Sequence, residues 1–183
     1  IYMNQALFDR IAAIYEPDKN PEMPISFSKS YPEKYRLLEN LYKDFKRNGA
    51  KLSDADKARL KEINSELSLL SVNFGQNVLA DTNAFEYYVQ NEEELKGLPE
   101  AVIETAASKA KEKGKEDQWL FTVHNASVMP VLEYADNREL RKKMYLAYKN
   151  QGNNSNKKDN NEIVVKMVKI KIKKAQLLGY KTY

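Results

Sequence analysis

His124 is the only histidine among 183 residues. It stands in "FTVHNASVMPVLEYADNRELRKKMYLAY", Phe121–Tyr148, where strand-like alternation gives way to helical spacing. An imidazole beside a carboxylate can move protons near neutral pH, and Glu133 or Asp136 could supply that carboxylate. The same imidazole could bind a metal. Catalytic zinc, however, commonly takes three protein ligands, often with two histidines one helical turn apart as HExxH. A single imidazole fails that count, because every further ligand would have to be a carboxylate. With no cysteine in the chain, thiolate ligands, cysteine nucleophiles and disulfides are excluded together. The serines near His124 lack a G-x-S-x-G frame, so no hydrolase elbow is read. The six glycines are scattered singly and form no phosphate-cradling loop. The residues alone therefore make His124 a turn residue and assign no catalytic, cofactor-binding or metal-ligating residue.

Two charged groupings need the same scrutiny. Lys166, Lys169, Lys171, Lys173 and Lys174 form the most basic patch, and Tyr180 or Tyr183 beside them could stack on bases. Lysines spaced along an amphipathic helix are ordinarily its solvated face. The net charge of +4, from 30 basic and 26 acidic residues, is a weak pull on any polyanion. Asp54 with Asp56, and Glu92–Glu94, fall at predicted helix starts, where the macrodipole favours negative charge without any calcium loop. No apolar run approaches the roughly 20 residues that span a bilayer. Neither a nucleic acid nor a membrane is expected as a partner.

Stepping through the elements that would position these groups, "YMNQALFDRIAAIYE" places Met3, Leu7, Ile11 and Ile14 on one helical face, with Phe8 and Tyr15 beside them. Residues 17–30, punctuated by Pro17, Pro21 and Pro24, read as a loop. A second helix runs from Pro32 through Leu38, Leu41, Tyr42 and Phe45 to Asn48 and Gly49, read as left-handed closing residues. Ser53 and Asp56 form a capping-box pattern ahead of one long helix, Asp54 to Asp81, striped by Leu60, Ile63, Leu67, Leu70 and Phe74. Such a helix suits an elongated antiparallel architecture. Gly75 inside it predicts either close helix packing or a kink.

The period then changes. "AFEYYVQ" and "QWLFTVH" alternate as two short strands, a ribbon that must pack on helices to be stable. Between them lie a short helix capped by Asn91 and stopped by Gly97, and a longer one stopped by Gly114. Downstream, Ser127 is read as the cap of a short helix and Asp136 with Glu139 as the start of the next, whose Leu140, Met144 and Tyr148 share a face. Residues 150–161 read as an asparagine-rich loop in which Asp159 caps a last helix. In "VKMVKIKIKK" strand and helix patterns compete. Length decides for a helix, striped by Val164, Met167, Val168, Ala175 and Leu178 and stopped by Gly179. The fold class is mainly α with one small two-stranded ribbon, a single helical piece over residues 1–183.

Four blocks carry a resemblance: "FKRNGAKLSDADKARLKEINSELSLLSVNFGQNVLAD", "LKGLPE", "YADNRELRKKMYLAY" and "DNNEIVVKMVKIKIKKAQLLGYKTY". In wording, order and spacing they resemble the middle helical region of the thimet oligopeptidase and peptidyl-dipeptidase family of zinc metallopeptidases, its bacterial peptidyl-dipeptidase branch above all. Gln151 and Lys171 stand where the family pattern leads one to expect arginine, and neither belongs to its zinc site. The resemblance implies a parent enzyme of two mostly helical lobes around a deep channel, cleaving short peptides with a zinc-bound water. There an HExxH helix and a downstream glutamate hold the metal, and the glutamate of HExxH acts as base.

With one histidine this chain has no HExxH, so the resemblance implies a piece of the non-catalytic lobe, inactive alone and forming part of the channel wall. Its expected partners are short peptides, for the parent, and the missing catalytic lobe. The parent's cofactor is zinc, with none held by this piece, and its compartment is cytoplasm or periplasm. The absence of an initiator methionine at Ile1 fits an excised piece. The residues alone also allow a helical protein-binding module without enzymatic activity.

Overall fold

A computed structural model describes residues 2, 4–16 and 31–183; Met3 and the proline-punctuated stretch 17–30 lie outside them. The described residues are mainly helical, with one two-stranded antiparallel sheet, as the periodicity predicts. They fall into two compact units, one of Ile1–Leu69 with Lys166–Tyr183 and the other of Leu70–Val165.

In the first unit α1 (Gln5–Tyr15) packs on α2 (Pro32–Arg47). Asn4 caps α1 by accepting the Leu7 N–H, and Pro32 opens α2, where its missing N–H has no intrahelical role. The core is aromatic. Phe8 stacks on Tyr42 and Phe45 at 5.7 and 5.9 Å between ring centroids, and Tyr15 lies 4.3 Å from Tyr42. The expected face of α1 is therefore corrected by a rotation: Phe8 and Ile11 are buried while Leu7 and Ile14 are exposed. Phe8 and Tyr15 lie seven residues apart and carry more apolar area than the aliphatics, so they set which side meets α2. The Tyr42 hydroxyl donates to Glu16, which also pairs with Lys51 at 2.9 Å. Of the two closing residues expected for α2, only Gly49 is left-handed, at φ +90°.

The long helix, α3, runs unbroken from Asp54 to Ala84, about 46 Å at 1.5 Å per residue. At its start the Asp56 N–H donates to Ser53 Oγ at 3.2 Å, and the Ser53 hydroxyl donates to the Asp56 carboxylate at 2.9 Å. That is a variant of the predicted box in which the hydroxyl replaces the cap's own N–H as donor. The helix continues three residues past Asp81, and in this turn Thr82 Oγ1 donates to the Val78 carbonyl and accepts from Gln151 Nε2. Of the predicted stripe only Leu60 is buried, and Phe74 is exposed. A Cβ on Gly75 would meet open space, so close packing does not explain that glycine.

The second unit is built around β1 (Tyr87–Val89) and β2 (Trp119–Phe121), paired antiparallel with Tyr87 opposite Phe121 and Val89 opposite Trp119. Between them come a 3-10 turn, Glu92–Leu95, capped by Asn91, and α4 (Glu100–Glu112), which lies against β2. After β2 come α5 (Asn125–Tyr134) and α6 (Arg138–Lys149), packed on each other. Val89, Leu95, Phe121, Val128, Val131, Leu140 and Met144 form the centre of one core. The ribbon thus meets the requirement that it pack on helices.

Two predicted caps move. His124, not Ser127, precedes α5, and the buried Ser127 Oγ instead accepts the Thr122 N–H at 3.0 Å, tying the end of β2 to the helix. At α6 the cap is Asn137, whose Oδ1 accepts from Glu139 and Leu140, while the Asp136 N–H donates to the Lys96 carbonyl at 2.8 Å.

The last helix, α7 (Asn161–Leu177), resolves the strand-or-helix ambiguity as helix. Asp159 accepts the Asn161 N–H at its start, and Gly179 follows its end at φ +81°. Of its predicted stripe Ala175 is buried, but Val164 and Val168 are exposed, and Ile170, outside that stripe, is buried instead. Among the described residues no helix is long and apolar enough to cross a membrane.

Candidate functional site

His124 sits where β2 gives way to α5. Its ring nitrogens lie 3.2 Å from Thr122 Oγ1 and 3.2 Å from Asn83 Oδ1. Its neighbours are a hydroxyl and an amide rather than the carboxylate of Glu133 or Asp136, so the structure assembles no imidazole–carboxylate pair there. With a neutral ring, one nitrogen donates to the amide oxygen and the other accepts from the hydroxyl, a structural pairing that leaves no ring nitrogen free for a substrate proton.

Asp56 and Glu93 are engaged as their helix-start positions suggest, Asp56 with Ser53 and Arg59, Glu93 with Lys96. Of the lysines, Lys166, Lys169 and Lys173 recur at helical spacing on an exposed face of α7, while Lys171 is partly buried with its ammonium 4.7 Å from the Tyr183 ring. That contact occupies one of the two tyrosines considered for base stacking. Among the described residues, no three of the histidine, aspartate and glutamate side chains gather where they could share a metal ion. The donor set of the described residues does not fit a catalytic zinc: the one imidazole is spoken for by Thr122 and Asn83, and among the described residues no acidic group joins it.

The densest polar cluster is one the sequence reading did not single out. Asp81, on α3, accepts from the Gly152 N–H at 2.8 Å, from Asn154 Nδ2 at 2.8 Å and from Asn156 Nδ2 at 3.2 Å. Asn160 is buried; its amide nitrogen donates to the Phe74 carbonyl, and its oxygen accepts from Asn77 at 3.0 Å. Asn154, Asn156 and Asn160 are thus fastened to two turns of α3. Only the run of asparagines signals this in the sequence, since short amides serve loops by bonding to nearby backbone. Gly152 is required there. Its φ is +73°, and a Cβ would lie 2.5 Å from Asn160 Nδ2.

Partial burial pushes the Asp81 carboxyl upward, but hydrogen bonds from Gly152, Asn154 and Asn156, with the charge of Lys158, outweigh it and hold the group below the ordinary aspartate range. A carboxyl depressed on folding stabilises the fold above its unfolded pKa, near 3.8, and loses that contribution as pH falls through the lower folded value. Asp81→Ala is expected to cost about 1–2 kcal/mol at pH 7, with the Gly152 amide losing its hydrogen-exchange protection. An unchanged exchange rate at Gly152 would refute the clasp.

No family model matches the chain. It is 38% identical over 152 residues to oligopeptidase A of Haemophilus influenzae, a match of 81% of this chain and 22% of that protein. Against dipeptidyl carboxypeptidase of Escherichia coli it is 32% identical over 183 residues, 100% of this chain and 26% of the relative. Saccharolysin of Saccharomyces cerevisiae matches at 28% over 152 residues, 82% of this chain and 20% of the relative. The chain spans about a quarter of the length of these curated relatives. An alignment that runs the full 183 residues at this identity, in a chain whose helices follow the predicted order, places it in one family. The chain belongs to the thimet oligopeptidase and peptidyl-dipeptidase family, matching a helical stretch of its longer members.

Proposed function

We propose that this chain is the helical, non-catalytic part of a zinc metallopeptidase that hydrolyses short peptides, and that it contributes one wall of the channel through which they reach the metal. The observation that carries the reading is the match over all 183 residues of this chain to about a quarter of a dipeptidyl carboxypeptidase, in a chain with a single histidine. On this reading the metal ligands and the general base belong to sequence outside these 183 residues. What these residues supply is shape: rigid helices that admit narrow, unfolded peptides and exclude folded ones.

The test is an assay of the 183-residue chain on short peptides with added zinc, beside the longer polypeptide that contains it. The expected result is turnover by the longer polypeptide only, abolished by chelation. Metal-dependent turnover by the 183 residues alone, surviving further purification, would reject the assignment. A helical binding module without enzymatic activity is the competing reading; it requires the longer polypeptide to be inactive as well.

A further inference from the structure

One side of α6 carries three cations and a tyrosine within two helical turns. Arg138, Arg141, Lys142 and Tyr145 follow one another at i, i+3, i+4 and i+7, so they share a face. With Leu132 of α5 they line an open groove of about 540 Å³. Leu132 supplies an apolar floor, and the other lining groups are three cations and a phenol.

Two details argue that the charge is there for a ligand. Arg138 occupies the first turn of α6, where the helix macrodipole disfavours a cation, and it has no carboxylate within ion-pairing distance. A locally unfavourable choice with no compensating partner is the signature expected of a functional position. Arg141, by contrast, is anchored: its Nη1 donates to the carbonyls of Ala135 and Asp136 at the end of α5. That anchoring holds the guanidinium in place at the groove before anything binds. Among the described residues, Glu139, 3.9 Å from Lys142, is the acid that pairs with this set. It lines the neighbouring groove with Tyr87, Glu94 and Lys143.

We infer that the Leu132–Arg138–Arg141–Lys142–Tyr145 groove is a docking surface for an extended acidic peptide segment. Carboxylate side chains would meet Arg138 and Arg141 in the forked geometry that guanidinium favours, Lys142 would add a point charge, and an intervening apolar residue would rest on Leu132 and the Tyr145 ring. The inference does not depend on turnover, so it can fail while the peptidase reading stands, and the reverse.

The experiment uses the 183-residue chain and an acetylated, amidated octapeptide of alternating Glu and Ala, with its Lys and Ala counterpart as control. Backbone amide shifts and fluorescence anisotropy are read at low and high salt. Saturable binding of the acidic peptide only, weakened by salt and with shifts confined to α6 and the end of α5, is the expected result. Arg138→Glu with Lys142→Glu should weaken it at least tenfold, Arg138→Gln severalfold, and Lys166→Glu with Lys169→Glu on α7 not at all. These positions are solvent-facing, and an unchanged Trp119 emission spectrum would verify that each variant is folded. No saturable binding at low salt, equal binding by the double α6 variant, or tighter binding of a single-stranded oligonucleotide at the same residues would each overturn the proposal.

Discussion

Gly97→Ala is expected to unfold the second unit more readily than any other single added methyl group, at a cost of roughly 3 kcal/mol or more. Two independent penalties meet at this residue. Its φ is +86°, a conformation that costs an L side chain about 1–2 kcal/mol. A Cβ would also be driven into the Tyr134 carbonyl, with Asp136 N and Oδ1 both 2.9 Å away. Those obstacles are mostly backbone, held by the Asp136 N–H to Lys96 carbonyl bond, so they cannot swing aside as a flexible side chain would. Forcing them apart adds the usual overpacking cost of about 1–3 kcal/mol.

The control is Gly114→Ala. There φ is +75°, yet nothing lies within 4 Å of the added carbon, so only the conformational penalty of about 1–2 kcal/mol applies. Urea unfolding followed through Trp119, the sole tryptophan, reads both. Equal midpoints for the two variants would refute the steric argument and leave only the dihedral one.

Met144→Ala should come second, losing about 2–5 kcal/mol. Met144 has no exposed surface and lies in the core between α6, the ribbon and α5. Truncation removes three heavy atoms from contact with neighbours already committed to Phe121, Val128 and Val131, so the space collapses poorly. Leu146→Ala, two residues along the same helix but 47% exposed, should cost less than 1 kcal/mol. The comparison separates burial from helix propensity, since both changes improve the latter equally. A Met144→Ala midpoint indistinguishable from that of Leu146→Ala would contradict the core assignment.

Much of the architecture was legible from spacing alone, and the particular failures have one physical cause. Periodicity tells which residues can share a face, but which face is buried depends on partners far away in sequence. Hence α3 appears where the Leu60-to-Phe74 pattern puts it, yet only Leu60 is buried. Likewise α7 buries Ile170 and Ala175 and leaves Val164 and Val168 exposed. Caps failed for a related reason. Ser127 has the right chemistry for a helix start, but its Oγ accepts the Thr122 N–H instead, and at α6 the neighbouring Asn137 takes the cap from Asp136. Nothing local to Asp81 announces that residues 71 to 75 positions later will converge on it. His124 was legible as a turn residue because its chemistry could be argued from what the chain lacks. Its bond to Asn83, across 41 positions, could not.

The ribbon joins Tyr87–Val89 to Trp119–Phe121, so zipping it closes a loop of roughly 30 residues, an entropic charge of about 3 kcal/mol set against only three paired residues. Hairpin nucleation cannot overcome that deficit by itself. Helix α4 lies inside the loop and shortens the distance its ends must travel, so α4 is expected to form before the strands pair. Stopped-flow refolding read through Trp119, on the second strand, is then expected to lag the helical signal in far-UV circular dichroism.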